Sequence, residues 1–219
     1  ITDRPMFVAT ETVFGMDGDC PDLEFLANLR EKYGFALILD EAHALGWYGS
    51  KGAGLAEHSN VLEHIDVLVG TLGKALGSQG AFTIFLNASV KRQIENFAAE
   101  YVYSTFLPPA NAAAASKAIE ITESLYCHRP IWRKCARSLR QKLEIQGFTT
   151  ITGESPVVPI LVGQEDIALR AAENLELNGL KVAAIRPPTV PAGAARLRIS
   201  YQAGLPVDGL AERLAGAMN

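Results

Sequence analysis

The sequence has no surplus of basic charge, no paired cysteines and no long apolar run, and each absence removes a class of function. Its 219 residues carry 20 Lys+Arg against 24 Asp+Glu, a formal charge of −4, so the overall balance offers nothing to a nucleic-acid backbone. Cys20, Cys127 and Cys135 are odd in number and show no CxxC spacing, which argues against a disulfide framework or zinc knuckle and for reduced thiols in a cytoplasmic protein. His43, His58, His64 and His128 lack the i, i+4 spacing of helical metal ligands, so no metal is expected. The longest apolar stretches, such as residues 35–39, are strand-sized and far short of the ~20 residues that span a bilayer. With 48% hydrophobic residues and only 19 glycines and 11 prolines, disorder and a collagen-like fibre are excluded as well.

What is present is enough chain for one large or two small domains with a sizeable core. It opens on Ile1 rather than Met and enters a strand-like run almost at once, which reads as a fragment or processed product. Short apolar runs at 5–10, 35–39, 66–69 and 81–86 alternate with helical periodicity over 23–33, which stops at Gly34. Each run is short enough for a buried parallel strand, so the first part predicts an α/β layer. From about Ser89 the spacing predicts helices over 90–101, 109–126 and 131–146. Strands at 157–162, 181–185 and 196–201 then alternate with helices over 166–178 and from Val207, a compact α+β unit. A boundary is expected within 110–130, dividing 1–115 from 116–219.

Three segments carry chemistry: LDEAHALG at 39–46, GTLGKALG at 70–77 and AIRPPTVPAGAARLRIS at 184–200. Asp40 and His43 follow a buried strand, where open α/β sheets bind ligands, although a D-x-x-H can also simply cap a turn. DEAH followed by GTLGKA superficially resembles a nucleotide-hydrolase pair. The spacing refuses it, because Leu68 stands where a phosphate loop needs its first Gly, Ala75 where it needs a hydroxyl, and the acidic box comes first. Lys74 lies among Gly70, Gly73, Gly77 and Gly80, which mark a backbone that bends sharply or approaches something closely. An exposed loop lysine does not need that. An amine that forms an imine with an aldehyde cofactor is the sharper reading. Arg196 and Arg198 alternate on a strand and read equally as solvated edge charges, and Pro187-Pro188 as a stiffened loop.

Asp40, His43, Thr71 and Lys74 together match fold type I pyridoxal-phosphate enzymes, and the chain resembles the α-oxoamine synthase family from end to end. TETVFGMDGD at 10–19 and YSTFLPP at 103–109 belong to the same match. The resemblance implies part of the large, mostly parallel-sheet domain, namely its carboxy-terminal portion, followed by a small α+β domain. The amino-terminal half of the family pattern has no counterpart in the chain. The implied cofactor is pyridoxal 5'-phosphate, held by Lys74, with Asp40 pairing its ring nitrogen, His43 its phenolic oxygen and Thr71 its phosphate. Ser104 or Thr105 would reach the phosphate from the partner of a homodimer. Arg198 would grip the amino acid's carboxylate, a task that suits a planar guanidinium. Arg186 and Thr189 would meet the acyl donor. Many relatives carry serine at the position of Gly15, so here His43 would contact the ring oxygen alone. The Arg-Pro-Pro-Thr-Val-Pro wording favours the family reaction of biotin biosynthesis, decarboxylative condensation of L-alanine with a pimeloyl thioester on CoA or acyl carrier protein, giving 8-amino-7-oxononanoate. A sister synthase using glycine or serine, or an inactive dimerising fragment, is the alternative.

Overall fold

A computed structural model describes residues 4–218, and these fall into two compact units. The first takes the chain up to Val13 and again over Cys20–Tyr126; the second takes Phe14–Asp19 and everything from Cys127.

In the first unit β1 (Phe7–Glu11), α1 (Leu23–Tyr33), β2 (Ala36–Asp40), a short α2 (Leu55–His58), β3 (Val67–Thr71) and β4 (Ala81–Phe85) precede α3 (Ala88–Phe97), α4 (Ala99–Val102) and α5 (Pro109–Ser124). Local chemistry sets the boundaries. Asp22 caps α1 by accepting from the Phe25 N–H at 2.9 Å, and Gly34, at φ 70°, closes it by donating to the Arg30 carbonyl at 2.8 Å. The strands form one sheet in the order β1-β2-β3-β4, with β1, β2 and β3 parallel. Leu37, Leu39 and Leu68 face its core. Arg30 donates twice to Asp66, at 2.7 and 2.8 Å, and Asp66 also accepts from the Leu37 N–H; the Arg30 hydrogen bond holds the Asp66 carboxyl below the ordinary range. That pair pins α1 to the entrance of β2 and β3.

β4 corrects an expectation. It runs antiparallel to β3 and is largely exposed, rather than buried and parallel. A parallel neighbour requires a crossover of about a dozen residues or more, and residues 72–80 are too few to make one, so the chain can only turn back. The helix expected over 90–101 is two helices, because Ala98 is extended (φ −75°, ψ 110°); no Gly or Pro announces the break. α2 and the 3-10 turn Leu62–His64 were not anticipated, being too short for any periodicity to register.

The second unit holds α6 (Arg129–Ile145), β5 (Val157–Gly163), α7 (Glu165–Leu177), β6 (Ala183–Ile185), β7 (Ala195–Ser200) and α8 (Leu210–Met218). Its sheet runs β5-β7-β6, antiparallel throughout. Ala136, Leu139 and Leu143 of α6, Ala168 and Leu175 of α7, and Leu214 of α8 supply the helical side of a core that includes Val158, Ile160 and Leu197. α8 starts at Leu210 rather than near Val207, after Gly209 in the left-handed region at φ 78°. Segment 14–19 is fastened to this unit by Ser155, whose hydroxyl donates to the Gly18 carbonyl at 2.6 Å, and by an ion pair between Asp17 and buried Arg196. Among the described residues no helix is long and apolar enough to cross a membrane, and no group of three His, Cys, Asp or Glu side chains is placed to hold a metal.

Candidate active site

The parallel register of the first unit sets Glu11 beside Asp40 and Asp40 beside Val69, so three strands end along one edge. The loops leaving β2 and β3 rise from that carboxyl edge, where open α/β sheets bind their ligands.

The first loop is organised by two carboxylates. Glu41, fully buried, accepts from the Leu55 N–H at 2.9 Å, the Ala56 N–H at 2.7 Å and the Thr12 hydroxyl at 2.6 Å. Burial raises its carboxyl above the ordinary range, and these hydrogen bonds pull against that. Glu57 accepts from the Ser50 hydroxyl and from the Lys51 and Ala53 N–H groups; burial pushes it up, but the donors outweigh burial and leave it lowered. Between these anchors the loop folds back so that the Gly46 N–H donates to the Gly52 carbonyl at 2.8 Å. Asp40 is half-buried, and its Oδ1 accepts from the Ala42 N–H at 2.8 Å. His43 follows one residue later, also half-buried. Neither Glu41 nor Thr12 was singled out from the sequence, because their partners lie in distant segments and no spacing reveals them.

The second loop, 72–80, closes on itself: Leu72 N–H donates to the Gly80 carbonyl at 2.9 Å, Ser78 N–H to the Leu72 carbonyl at 2.8 Å, and Gly77 N–H to the Lys74 carbonyl at 3.1 Å. Leu72 and Leu76 root it against Ala115 of α5. The Thr71 hydroxyl accepts from the Gly73 N–H at 3.2 Å and donates to the Gly80 carbonyl at 3.4 Å. Gly77 and Gly80 have positive φ, 58° and 98°, and a Cβ on Gly70 would fall 2.3 Å from the Phe82 ring. Gly73 differs from the expectation for it: its φ is ordinary for an L-residue and a Cβ would meet only contacts of 3.7 Å.

The two loops meet. A Cβ on Gly46 would stand 3.0 Å from the Ala75 Cβ, so the glycine lets them close up. Lys74 Nζ lies 2.9 Å from His43 Nε2. Asp40, His43, Thr71 and Lys74 thus occupy one strand edge and its two adjoining loops. Ser104 and Thr105 are exposed on the connection from α4 to α5, and the Ser104 hydroxyl bonds back to the Glu100 carbonyl.

In the second unit β7 is the central strand, so neither of its arginines is an edge charge. Arg196 is spent on Asp17, while Arg198 is half-buried, opposite Pro159 and Ala183. Arg186 is exposed just past β6, its carbonyl accepting from the N–H of exposed Thr189 at 3.1 Å.

The sequence profile of aminotransferases of class I and II matches residues 1–216. The chain belongs to that family. Within the aminotransferase class I and II family, an 8-amino-7-oxononanoate synthase of Chlorobaculum parvum is 39% identical over 215 residues, 98% of this chain and 54% of that protein. The solved serine palmitoyltransferase of S. paucimobilis with a bound PLP–myriocin aldimine superposes with a TM-score of 0.91 at 27% identity, covering 98% of this chain and 55% of that one. The crystal structure of 8-amino-7-oxononanoate synthase from Francisella tularensis gives 0.84 at 26% identity, covering 100% and 63%. The fold is therefore that of fold type I pyridoxal-phosphate enzymes, and the resemblance to α-oxoamine synthases rests on these relatives as well as on the residues. The chain spans about half the length of the curated relatives it matches.

Proposed function

We propose that the chain is part of a pyridoxal-phosphate-dependent acyltransferase that condenses L-alanine with a pimeloyl thioester, releasing CO2 and the thiol and forming 8-amino-7-oxononanoate in the cytoplasm. The observation that carries the reading is the Lys74 amine, 2.9 Å from the His43 imidazole, on loops that follow Asp40 and Thr71 at one carboxyl edge.

The residues present fit the cofactor. They offer an amine for its aldehyde (Lys74), a carboxylate for its ring nitrogen (Asp40), an imidazole for its phenolic oxygen (His43) and a hydroxyl for its phosphate (Thr71), with Ser104 or Thr105 of a second copy completing the phosphate contacts. Bound there, the group supplies an electron sink for the pair left on the amino acid's α-carbon. Lys74 takes the α-proton and returns it at the end of the cycle, which requires an amine that is held but mobile, and the His43 contact holds it. Asp40 would face the ring nitrogen, its own orientation held by the Ala42 N–H. Arg198 orients the amino acid through a bidentate pair with its carboxylate. Arg186 and Thr189 bind the acyl donor.

A sister reaction, serine or glycine with a different acyl thioester, is the second reading, favoured by the TM-score of 0.91 to a serine palmitoyltransferase. Full-length protein supplied with alanine, glycine or serine, each with pimeloyl, acetyl, succinyl or palmitoyl thioester, separates the two by thiol release. Alanine with pimeloyl thioester is expected to be fastest. Preference for serine with palmitoyl, or for glycine with acetyl or succinyl, overturns the substrate assignment.

A further inference from the structure

Thr12 and Glu41 are polar, both at 0% exposure, and outside every cofactor and substrate role assigned above. An apolar pair of the same volume would suit a buried site at least as well, since an ionised carboxylate removed from water carries a penalty of several kcal/mol before its partners offset it. Three donors face this one. The Thr12 hydroxyl donates to Oε2 at 2.6 Å, the Leu55 N–H to the same oxygen at 2.9 Å, and the Ala56 N–H to Oε1 at 2.7 Å. The space is closed as well: Gly54 adopts φ 120°, and a Cβ there would stand 2.3 Å from Oε2.

What the pair surrounds is the backbone of Asp40. The Asp40 carbonyl accepts from the Thr12 N–H at 2.9 Å and lies 3.3 Å from the Thr12 hydroxyl, while the N–H of the same peptide, that of Glu41, donates to the Val69 carbonyl on β3 at 2.9 Å. The Asp40–Glu41 peptide is therefore tied at its carbonyl to the segment after β1 and at its N–H to β3, and the Glu41 side chain ties it to the start of α2. A rotation of that peptide would swing the Asp40 carboxylate, and would carry His43 away from Lys74.

We propose that Thr12 and Glu41 are positioning residues: a buried hydroxyl–carboxylate pair that fixes the Asp40 backbone, and with it the stations of the Asp40 carboxylate and the His43 imidazole. The proposal rests on the cofactor reading given above, and neither residue touches the reacting atoms.

The test uses full-length protein and three substitutions, of which Thr12→Val and Glu41→Gln leave volume nearly unchanged. Thr12→Val deletes the hydroxyl and keeps the N–H bond to Asp40; Thr12→Ser keeps both. Three quantities are read: kcat and KM for the amino acid, the pH midpoint of the bound cofactor's visible absorption, and amide hydrogen exchange at Glu41 and Ala42 in protein stripped of pyridoxal phosphate. Thr12→Val is expected to lower kcat about fivefold and speed exchange about fivefold, the worth of one buried hydrogen bond, with KM within about twofold. The absorption midpoint should move, and Thr12→Ser should restore all three to within about twofold of the parent. Glu41→Gln, which must turn an N–H toward at least one of the three donors, should shift the same quantities in the same direction by more. Thr12→Val indistinguishable from the parent, or Thr12→Ser as impaired as Thr12→Val, overturns the proposal. Should the parent protein bind no pyridoxal phosphate, the cofactor reading falls, and the exchange rates alone then decide whether Thr12 holds the Asp40 backbone.

Discussion

A lysine amine beside an imidazole acquires a chemical role only when something nearby carries the opposite charge demand, and in the function proposed above that residue is Asp40. Its Oδ1 is held by the Ala42 N–H at 2.8 Å, so the carboxylate is presented rather than free to swing. If Asp40 stabilises the protonated ring nitrogen as charge develops, its removal should cost rate far more than binding. Asp40→Ala in full-length protein is therefore expected to lower kcat by more than about tenfold, ~1.4 kcal/mol or above, with KM for the amino acid changing less. Steady-state kinetics checks this, and a smaller loss in kcat removes Asp40 from its role. The legibility of the site divides at this same scale. Asp40, His43, Thr71 and Lys74 stand out as candidates because Asp40 and Thr71 end strands, His43 and Lys74 follow them in the adjoining loops, and the four together match the family pattern. Thr12 and Glu41 do not, since a buried polar residue announces itself only through its partners, and Thr12 and Glu41 are 29 positions apart.

At the scale of elements, glycines separate positions that need freedom of backbone from positions that need absence of a side chain. Gly18 needs both: φ is 70°, and a Cβ would lie 2.1 Å from the Val157 carbonyl and 2.7 Å from the Ser155 hydroxyl. Gly147, after α6, needs only the first, with φ 88° and nothing within 4 Å. Gly147→Ala is expected to cost about 1 kcal/mol of left-handed strain, and Gly18→Ala at least about 2 kcal/mol because segment 14–19 must also leave β5. Thermal or denaturant unfolding of the two variants checks the order; equal losses contradict the close packing at Gly18. The sequence showed Gly18 as a turn residue and no more, because the strand that it touches lies 139 positions further on and only folding brings the two together. β4 failed for a related reason. Its composition suits a strand of either direction, and the direction was decided by the length of the connection before it rather than by its own residues.

For the whole molecule, the periodic layout was largely readable: alternating strands and helices up to α5 and a smaller α+β unit after it follow from apolar spacing and turn residues. The antiparallel return of β4, the break at Ala98 and the transfer of segment 14–19 to the second unit were not: the first was set by the length of a connection, the second has no Gly or Pro to mark it, and the third depends on partners such as Ser155, 137 positions from Gly18. The account of function turns on one amine. Full-length protein loaded with pyridoxal phosphate, reduced with borohydride and digested, should yield a single cofactor-bearing peptide with the label on Lys74. A label on any other lysine, or no label on protein that has retained the cofactor, contradicts the account.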